Sequence, residues 1–417
     1  MKENSIKFLV RELLSLTVYR DLLKRPAVSI LIDMLRAFEN GDEHTVFEKW
    51  GSLCNLAGTD GCVRSLPQII ADEVLSSRSN ITKIMASGKF DCISDEIISL
   101  AKRDLDILYR AATNAPLLLC SCIDSQLASL LPPIGVAPAY APLNLPWDKC
   151  IDALREYHCK NGVGVFTKYS AFIWQNGDIQ PVGHPDPIRL NDLKGYESQH
   201  SIAIENTLSF LDGYEANNML LYGDRGTGKS STVKALLNEY SCRGLRMVEM
   251  PKESLYELSH LTERLAAIPM KFIVFIDDLS FSGNDDSFSA LKAVLEGGLS
   301  ARPDNVLIYA TSNRRHLVRE NFGDRGDDDI HREDTLQETI SLSDRFGIIL
   351  TFMMPDKKRF LEIIILLAAD RGLDIDPKKL LDAAERYAIE RGARSPRFAR
   401  QFIAQVQARI GRNKPIK

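Results

Sequence analysis

No stretch of this chain is apolar for long enough to span a bilayer, and no two of its eight cysteines have the C-x-x-C spacing of a zinc or redox centre. The closest pair, Cys120 and Cys122, lies inside the apolar run "PLLLCSCIDSQLASLL" and reads as buried thiols in a reducing compartment. The seven histidines are scattered, so any metal is expected to accompany a ligand that brings its own oxygen donors. Positive charge is not in excess: 52 Lys and Arg against 56 Asp and Glu leave −4, which gives no general attraction to nucleic acid or anionic lipid. The first residues, "MKENSIKFLVRELLSL", mix acid and base through their apolar positions, unlike an export signal. These absences point to a cytoplasmic protein without a membrane partner.

What is present is a globular composition, 45% apolar and 26% charged, over 417 residues, enough for two or three domains. Residues 1–131 repeat apolar positions at three and four, as in "IKFLVRELLSLTVYRDLL", and read as a helical domain with no nameable chemistry. "LPPIGVAPAYAPLNLP" holds five prolines and no charge, which suits a linker. With a short helix at 147–159 and a hairpin turning at Asn176-Gly177, it fills an expected connecting segment, 132–186. From 187 to 355, helix and strand patterns alternate: helices at 198–212, 229–240, 253–267 and 286–298, strands at 218–222, 245–249, 271–276 and 305–310. That alternation predicts an α/β domain with a parallel sheet covered on both faces, closed by a helical domain at 356–417.

Chemistry concentrates in "NNMLLYGDRGTGKSSTVKAL". Gly223, Asp224, Arg225, Gly226, Thr227, Gly228, Lys229 and Ser230 fit G-x-x-x-x-G-K-[ST] between a strand and a helix that continues through Ser231. Glycines let backbone N–H groups turn inward around phosphates, Lys229 neutralises the outer phosphates, and Ser230 offers a hydroxyl to Mg²⁺. The strand of "KFIVFIDDLSF" ends in Asp277, placed to hold Mg²⁺, and Asp278, placed to orient water. Asp278 is one methylene shorter than glutamate, which allows for slow hydrolysis. "NVLIYATSNRRH" brings Asn313 to a third strand end, in reach of a γ-phosphate or attacking water. The chain has no N-K-x-D to read guanine, so ATP is preferred to GTP.

These motifs, followed by "SLSDRFG" and "GARSPRFARQF", stand in the order of the AAA+ ATPases, and "DLKGYESQ", "IDDLSF", "ALKAVLEGGL" and "YATSNRRHL" resemble more closely a bacterial AAA+ family known only as a domain of unknown function. The resemblance covers roughly 187–410. It implies a P-loop ATPase core with a helical lid, ATP and Mg²⁺ as ligands, and a homo-oligomer in which Arg345 acts as an arginine finger on the neighbouring subunit's nucleotide. It further implies Arg397 as the sensor-two arginine, with Arg394 as the alternative, and Gly195 and Tyr196 beside the adenine.

The chain also departs from that family. "PKESLYELSHLTERLAAIP" contains Tyr256 but lacks the aromatic, hydrophobic, glycine triplet of a threading pore loop and reads as one compact helix. The acidic stretch "ENFGDRGDDDIHREDTLQE" reads as a solvated loop upstream of the finger. Residues 391–417 hold eight Lys or Arg and no acid, yet no helix-turn-helix or stacking aromatic supports a nucleic-acid partner. The expectation is an ATPase that couples nucleotide state to oligomer assembly or to remodelling of an unidentified client. A slow ATP-controlled binding switch and a DNA-associated initiator or helicase loader stand as alternatives.

Overall fold

A computed structural model describes residues 2–59, 62–132, 134–135, 141–280, 286–296, 303–313 and 345–412. The acidic stretch at 320–338, the first residues of "SLSDRFG" and the tail beyond Arg412 lie outside the described residues. The chain forms two compact units, Met1–Lys168 with Ile268–Met270, and Tyr169–Ala267 with Lys271–Lys417. Among the described residues no helix is long and apolar enough to cross a membrane.

The first unit is helical. Its helices are α1 (Lys2–Leu14), α2 (Pro26–Glu39), α3 (Glu43–Ala57), α4 (Leu66–Leu75), α5 (Asn80–Ala86), α6 (Asp95–Cys122), α7 (Ser125–Ala128) and α8 (Ile151–Asn161), with a two-residue ladder of β1 (Gly58–Thr59) and β2 (Cys62–Val63). The apolar stripes meet in one core built on Leu13, Leu31, Leu35, Ile70, Leu105 and Leu108. Two carboxylates organise the chain inside it. Asp104 Oδ2, fully buried, accepts the backbone N–H groups of Thr17, Val18 and Tyr19 at 2.9, 2.8 and 3.1 Å. Glu73 accepts those of Ala27 and Val28 at the start of α2, where helical N–H groups have no intrahelical partner.

The proline-rich segment is not a free linker. Leu131, Leu143 and Trp147 are buried in this core, Trp50 Nε1 donates to Pro132 O at 2.8 Å, and Leu66 N donates to Gly135 O.

In α8, His158 is fully buried and its Nδ1 lies 2.8 Å from Gly162 O. A carbonyl only accepts, so Nδ1 carries the proton, and Nε2 has no partner among the described residues. Burial, opposed by the Gly162 carbonyl, holds the imidazole pKa below its ordinary value. With the folded pKa depressed, the unfolded chain binds more protons once the pH falls below about 6.5, so this contribution to stability is present above that value and lost on acidification. Melting followed from about pH 7.5 to 5.5 should therefore show a loss of stability that is smaller in His158→Gln; parallel curves for the two proteins would contradict this.

The second unit holds a seven-stranded sheet in the order β4-β3-β6-β7-β8-β5-β9: β3 (Ala171–Gln175), β4 (Asp178–Pro181), β5 (Met219–Gly223), β6 (Leu245–Glu249), β7 (Lys271–Ile276), β8 (Val306–Ser312) and β9 (Ile348–Phe352). Every pairing is parallel except the β3–β4 hairpin. The central strands "KFIVFI" and "VLIYATS" are almost wholly buried, as strands covered on both faces must be. The hairpin is an edge of this sheet, with β3 parallel to β6, and is not part of a connector. Trp174 of β3 is buried, and its Nε1 donates to Glu257.

Helices α9 (Glu197–Leu211), α10 (Lys229–Tyr240), α11 (Leu258–Ala266) and α12 (Asp286–Glu296) lie between strands in the chain. The segment read as one helix from 253 to 267 is a 3₁₀ turn, Lys252–Glu257, followed by α11, because Glu257 (φ −93°, ψ 5°) leaves helical geometry. Three further helices, α13 (Lys357–Asp370), α14 (Pro377–Arg391) and α15 (Pro396–Ile410), pack around Phe360, Ile364, Ala384 and Phe402 as a helical subdomain.

Candidate functional site

The parallel strands β5, β7 and β8 end at the same edge of the sheet, which brings three loops together. The glycine loop joins β5 to α10. Its first residue, Gly223 (φ +139°), closes β5 against β9: a Cβ there would lie 2.1 Å from Phe352 O. Gly228 (φ +103°) is the N-cap of α10 and turns the chain into the helix, a conformation that side chains resist.

Lys229, 6% exposed, donates to Gly223 O at 2.8 Å, Asp224 O at 2.7 Å and Asn313 Oδ1 at 3.0 Å. All three ammonium hydrogens are thus engaged. Burial lowers its pKa, while Asp224, Asp278 and Asp277 act to raise it.

Asp277 Oδ1 collects three donors: Ser230 Oγ and Thr311 Oγ1, each at 2.6 Å, and Asp278 N at 3.1 Å. Hydroxyl and carboxylate oxygens side by side are the hard donors that suit Mg²⁺, and so few protein ligands leave room for phosphate oxygens and water. Asp278 takes a left-handed backbone (φ +51°), with Asn313 Nδ2 donating to its Oδ1 and Lys252 Nζ 3.7 Å from its Oδ2. A cation on one side of the Asn313 amide and a carboxylate on the other fix which way the amide faces.

These residues open on a cleft of about 550 Å³. Its floor is the loop from Arg225 to Ser231 with Asp277, Asp278, Thr311 and Asn313; Tyr196 and His200 line another side, and Arg397 and Arg400 of α15 a third. Tyr196 (φ +61°) donates from its hydroxyl to Met353 O at 2.6 Å and packs on Phe352, ring centroids 5.0 Å apart. Burial, then Asp224, pushes its hydroxyl pKa up. Burial likewise lowers the pKa of His200, against Glu197.

Not every expected residue reaches the cleft. Gly223 and Asp224 do not line it, and Gly195 (φ +86°) faces an adjoining cavity of about 250 Å³, where a Cβ would press on Ile363 at 3.1 Å. Of the two candidate arginines, Arg397 lines the cleft and Arg394 is paired with Glu385 of α14. Arg345 lies three residues ahead of β9, whose first residue pairs with Met219 at the end of β5 remote from the loop.

Among residues in or beside the cleft, Thr311, Lys252 and His200 had not been assigned a role from sequence. Thr311 and Lys252 sit at the edge where strands β8 and β6 end, the edge that carries the motifs, and that placement was a usable signal. His200, one turn along α9 from Tyr196, was legible once Tyr196 was chosen. Arg400, which donates to Asp192 O at 3.0 Å, follows Arg397 by three residues on the same helix.

Sheet order, glycine loop and helical subdomain together define an AAA+ P-loop fold. The chain belongs to the family described as "Protein of unknown function (DUF815)", whose family model matches residues 167–410. No curated protein matches the sequence. Among solved structures it is similar to the RuvB Holliday junction branch migration motor of Thermotoga maritima (20% identity, TM-score 0.37) and to a point variant of that RuvB (19%, TM-score 0.38). Each likeness covers 55% of this chain and 68% of the other.

Proposed function

We propose that the chain binds and hydrolyses ATP, and that nucleotide state controls assembly of its copies or remodelling of a client. The observation that carries this reading is the joining of Ser230 and Asp277 through one short hydrogen bond on the floor of the cleft, beside Lys229. Ser230 and Asp277 would hold Mg²⁺, whose charge offsets that of the phosphates. Lys229 exchanges its two loop carbonyls for phosphate oxygens, and the N–H groups of the loop and of the α10 N-terminus face the same anion. Tyr196 and His200 border the base, and Arg397 brings a cation from the lid. Asn313 and Asp278 orient the attacking water, while Arg345 is supplied to a neighbour's cleft.

A second reading, a switch that holds ATP and turns it over rarely, is favoured by Asp278 itself, a short acid engaged by both Asn313 and Lys252. Phosphate release with ATP and Mg²⁺, measured beside ATP affinity, separates the two. Turnover that stops when the divalent ion is chelated is the expected result. Tight binding without turnover would select the switch, and absence of ATP binding would exclude both.

A further inference from the structure

Asp224, the second residue of the glycine loop, is bonded on three sides. Its N–H donates to Phe352 O of β9 at 2.9 Å, and its carbonyl accepts from Lys229 Nζ at 2.7 Å and from Thr227 Oγ1 at 2.8 Å. Its carboxylate turns to the root of the lid, where Oδ2 accepts the backbone N–H of Met354 at 2.6 Å. Met354 lies in the short segment between β9 and α13. Two residues further on, Gly226 O accepts the N–H of Arg397 at 3.2 Å, in the first turn of α15, and a Cβ on Gly226 would lie 3.2 Å from Ser395 Oγ and 3.3 Å from Arg397 Cβ. The loop therefore holds the helical subdomain at the start of its first helix and at the start of its last.

We propose that the Asp224 carboxylate is a latch between the glycine loop and the lid, a positioning residue rather than a phosphate contact, so that filling the loop and moving the lid are one equilibrium. A carboxylate–amide bond of this kind is charge-assisted and stronger than a neutral one. The chemistry of coupling follows from Lys229. To meet a phosphate oxygen it must leave the Asp224 carbonyl, and the residue it releases is the one whose side chain grips Met354. Movement of that grip swings α13 and, with it, the helix that carries Arg397 and Arg400. The coupling rests on the reading of the loop as a triphosphate site; the latch itself does not.

The charge of Asp224 also acts on Lys229 and Tyr196, so the test must separate bond from charge. Asp224→Asn keeps an acceptor oxygen and removes the charge, whereas Asp224→Ala removes both. Amide hydrogen exchange on the full chain, with and without MgATP, reads the latch directly. Without nucleotide, the Met354 amide is expected to exchange moderately faster in Asp224→Asn than in wild type, since the neutral acceptor is weaker, and at least about 10-fold faster in Asp224→Ala than in wild type. Met354→Pro, which removes the donor from the opposite side, should reproduce the alanine result in the lid, and unchanged protection of α10 in each variant verifies the fold. With MgATP, protection of α13 and α15 should change in wild type and Asp224→Asn and not in Asp224→Ala. Equal exchange in the Asn and Ala variants, or an alanine variant like wild type, overturns the latch. A lid indifferent to nucleotide in wild type that demonstrably binds MgATP overturns the coupling, whereas failure of wild type to bind MgATP at all overturns the triphosphate reading and leaves the Asn–Ala contrast to decide the latch.

Discussion

Lys229→Ala should weaken ATP binding by about 100-fold or more while the second unit stays folded. The ammonium is the one cation buried at the turn of the loop among its described residues, and its three hydrogen bonds are to the carbonyls of Gly223 and Asp224 and to the Asn313 side chain. Charge-assisted hydrogen bonds contribute roughly 1.5–3 kcal/mol each. Loss of two to phosphate oxygens is about 3 kcal/mol or more, and each ~1.4 kcal/mol is tenfold in affinity. The cost to the fold is smaller, since Lys229 lines the cleft and removal of its side chain lets water from the cleft reach the Gly223 and Asp224 carbonyls it leaves behind. Asp278 would lose the cation that meets it through Asn313 and rely on Lys252. Calorimetric titration with ATP and Mg²⁺, paired with thermal melting, checks both halves. Affinity within about threefold of wild type would mean that the loop does not hold the triphosphate through Lys229.

The loop, the acids of β7 and the amide after β8 were legible because each rests on local sequence: a spacing, a buried apolar run, a polar residue where the run stops. What depends on distant pairing was not. Spacing alone allowed either Arg394 or Arg397 to face the nucleotide, and only the position of Glu385 on α14 assigns Arg394 elsewhere. The proline-rich segment has the composition of a linker whether it is solvated or packed. The apolar residues Leu131, Leu143 and Trp147 among its prolines were the signal that it is packed. The hairpin at Asn176-Gly177 could be read as a hairpin, but not that β3 would pair with β6, more than seventy residues later. Asp224 was read as part of the phosphate cradle because its neighbours are; its carboxylate answers instead to Met354, 130 residues away.

Arg345→Ala should lower ATP turnover by about 1000-fold with nucleotide affinity little changed, the scale associated with loss of an arginine finger. On the proposed reading such a finger acts between copies. Strand β9 runs parallel to β5 with Ile348 opposite Met219 and Phe352 opposite Gly223, so the four steps from Ile348 to Phe352 alone span roughly 13 Å at ~3.3 Å per residue. Arg345 precedes Ile348 by three residues, on the side of β9 away from the loop, which favours a role at a neighbour's cleft over one in its own. On that reading a cation at that end of the sheet meets a γ-phosphate across a head-to-tail contact, in which one surface of each copy meets a different surface of the next. Turnover per protomer should then rise with protein concentration in wild type and stay flat in the variant. Mixing supplies the stricter test. Arg345→Ala retains an intact loop and Lys229→Ala retains an intact finger, so a mixture of the two is expected to recover turnover that neither shows alone, at interfaces where the finger of one meets the loop of the other. A mixture no faster than its components, with assembly verified by sedimentation, would mean that Arg345 serves no neighbouring site.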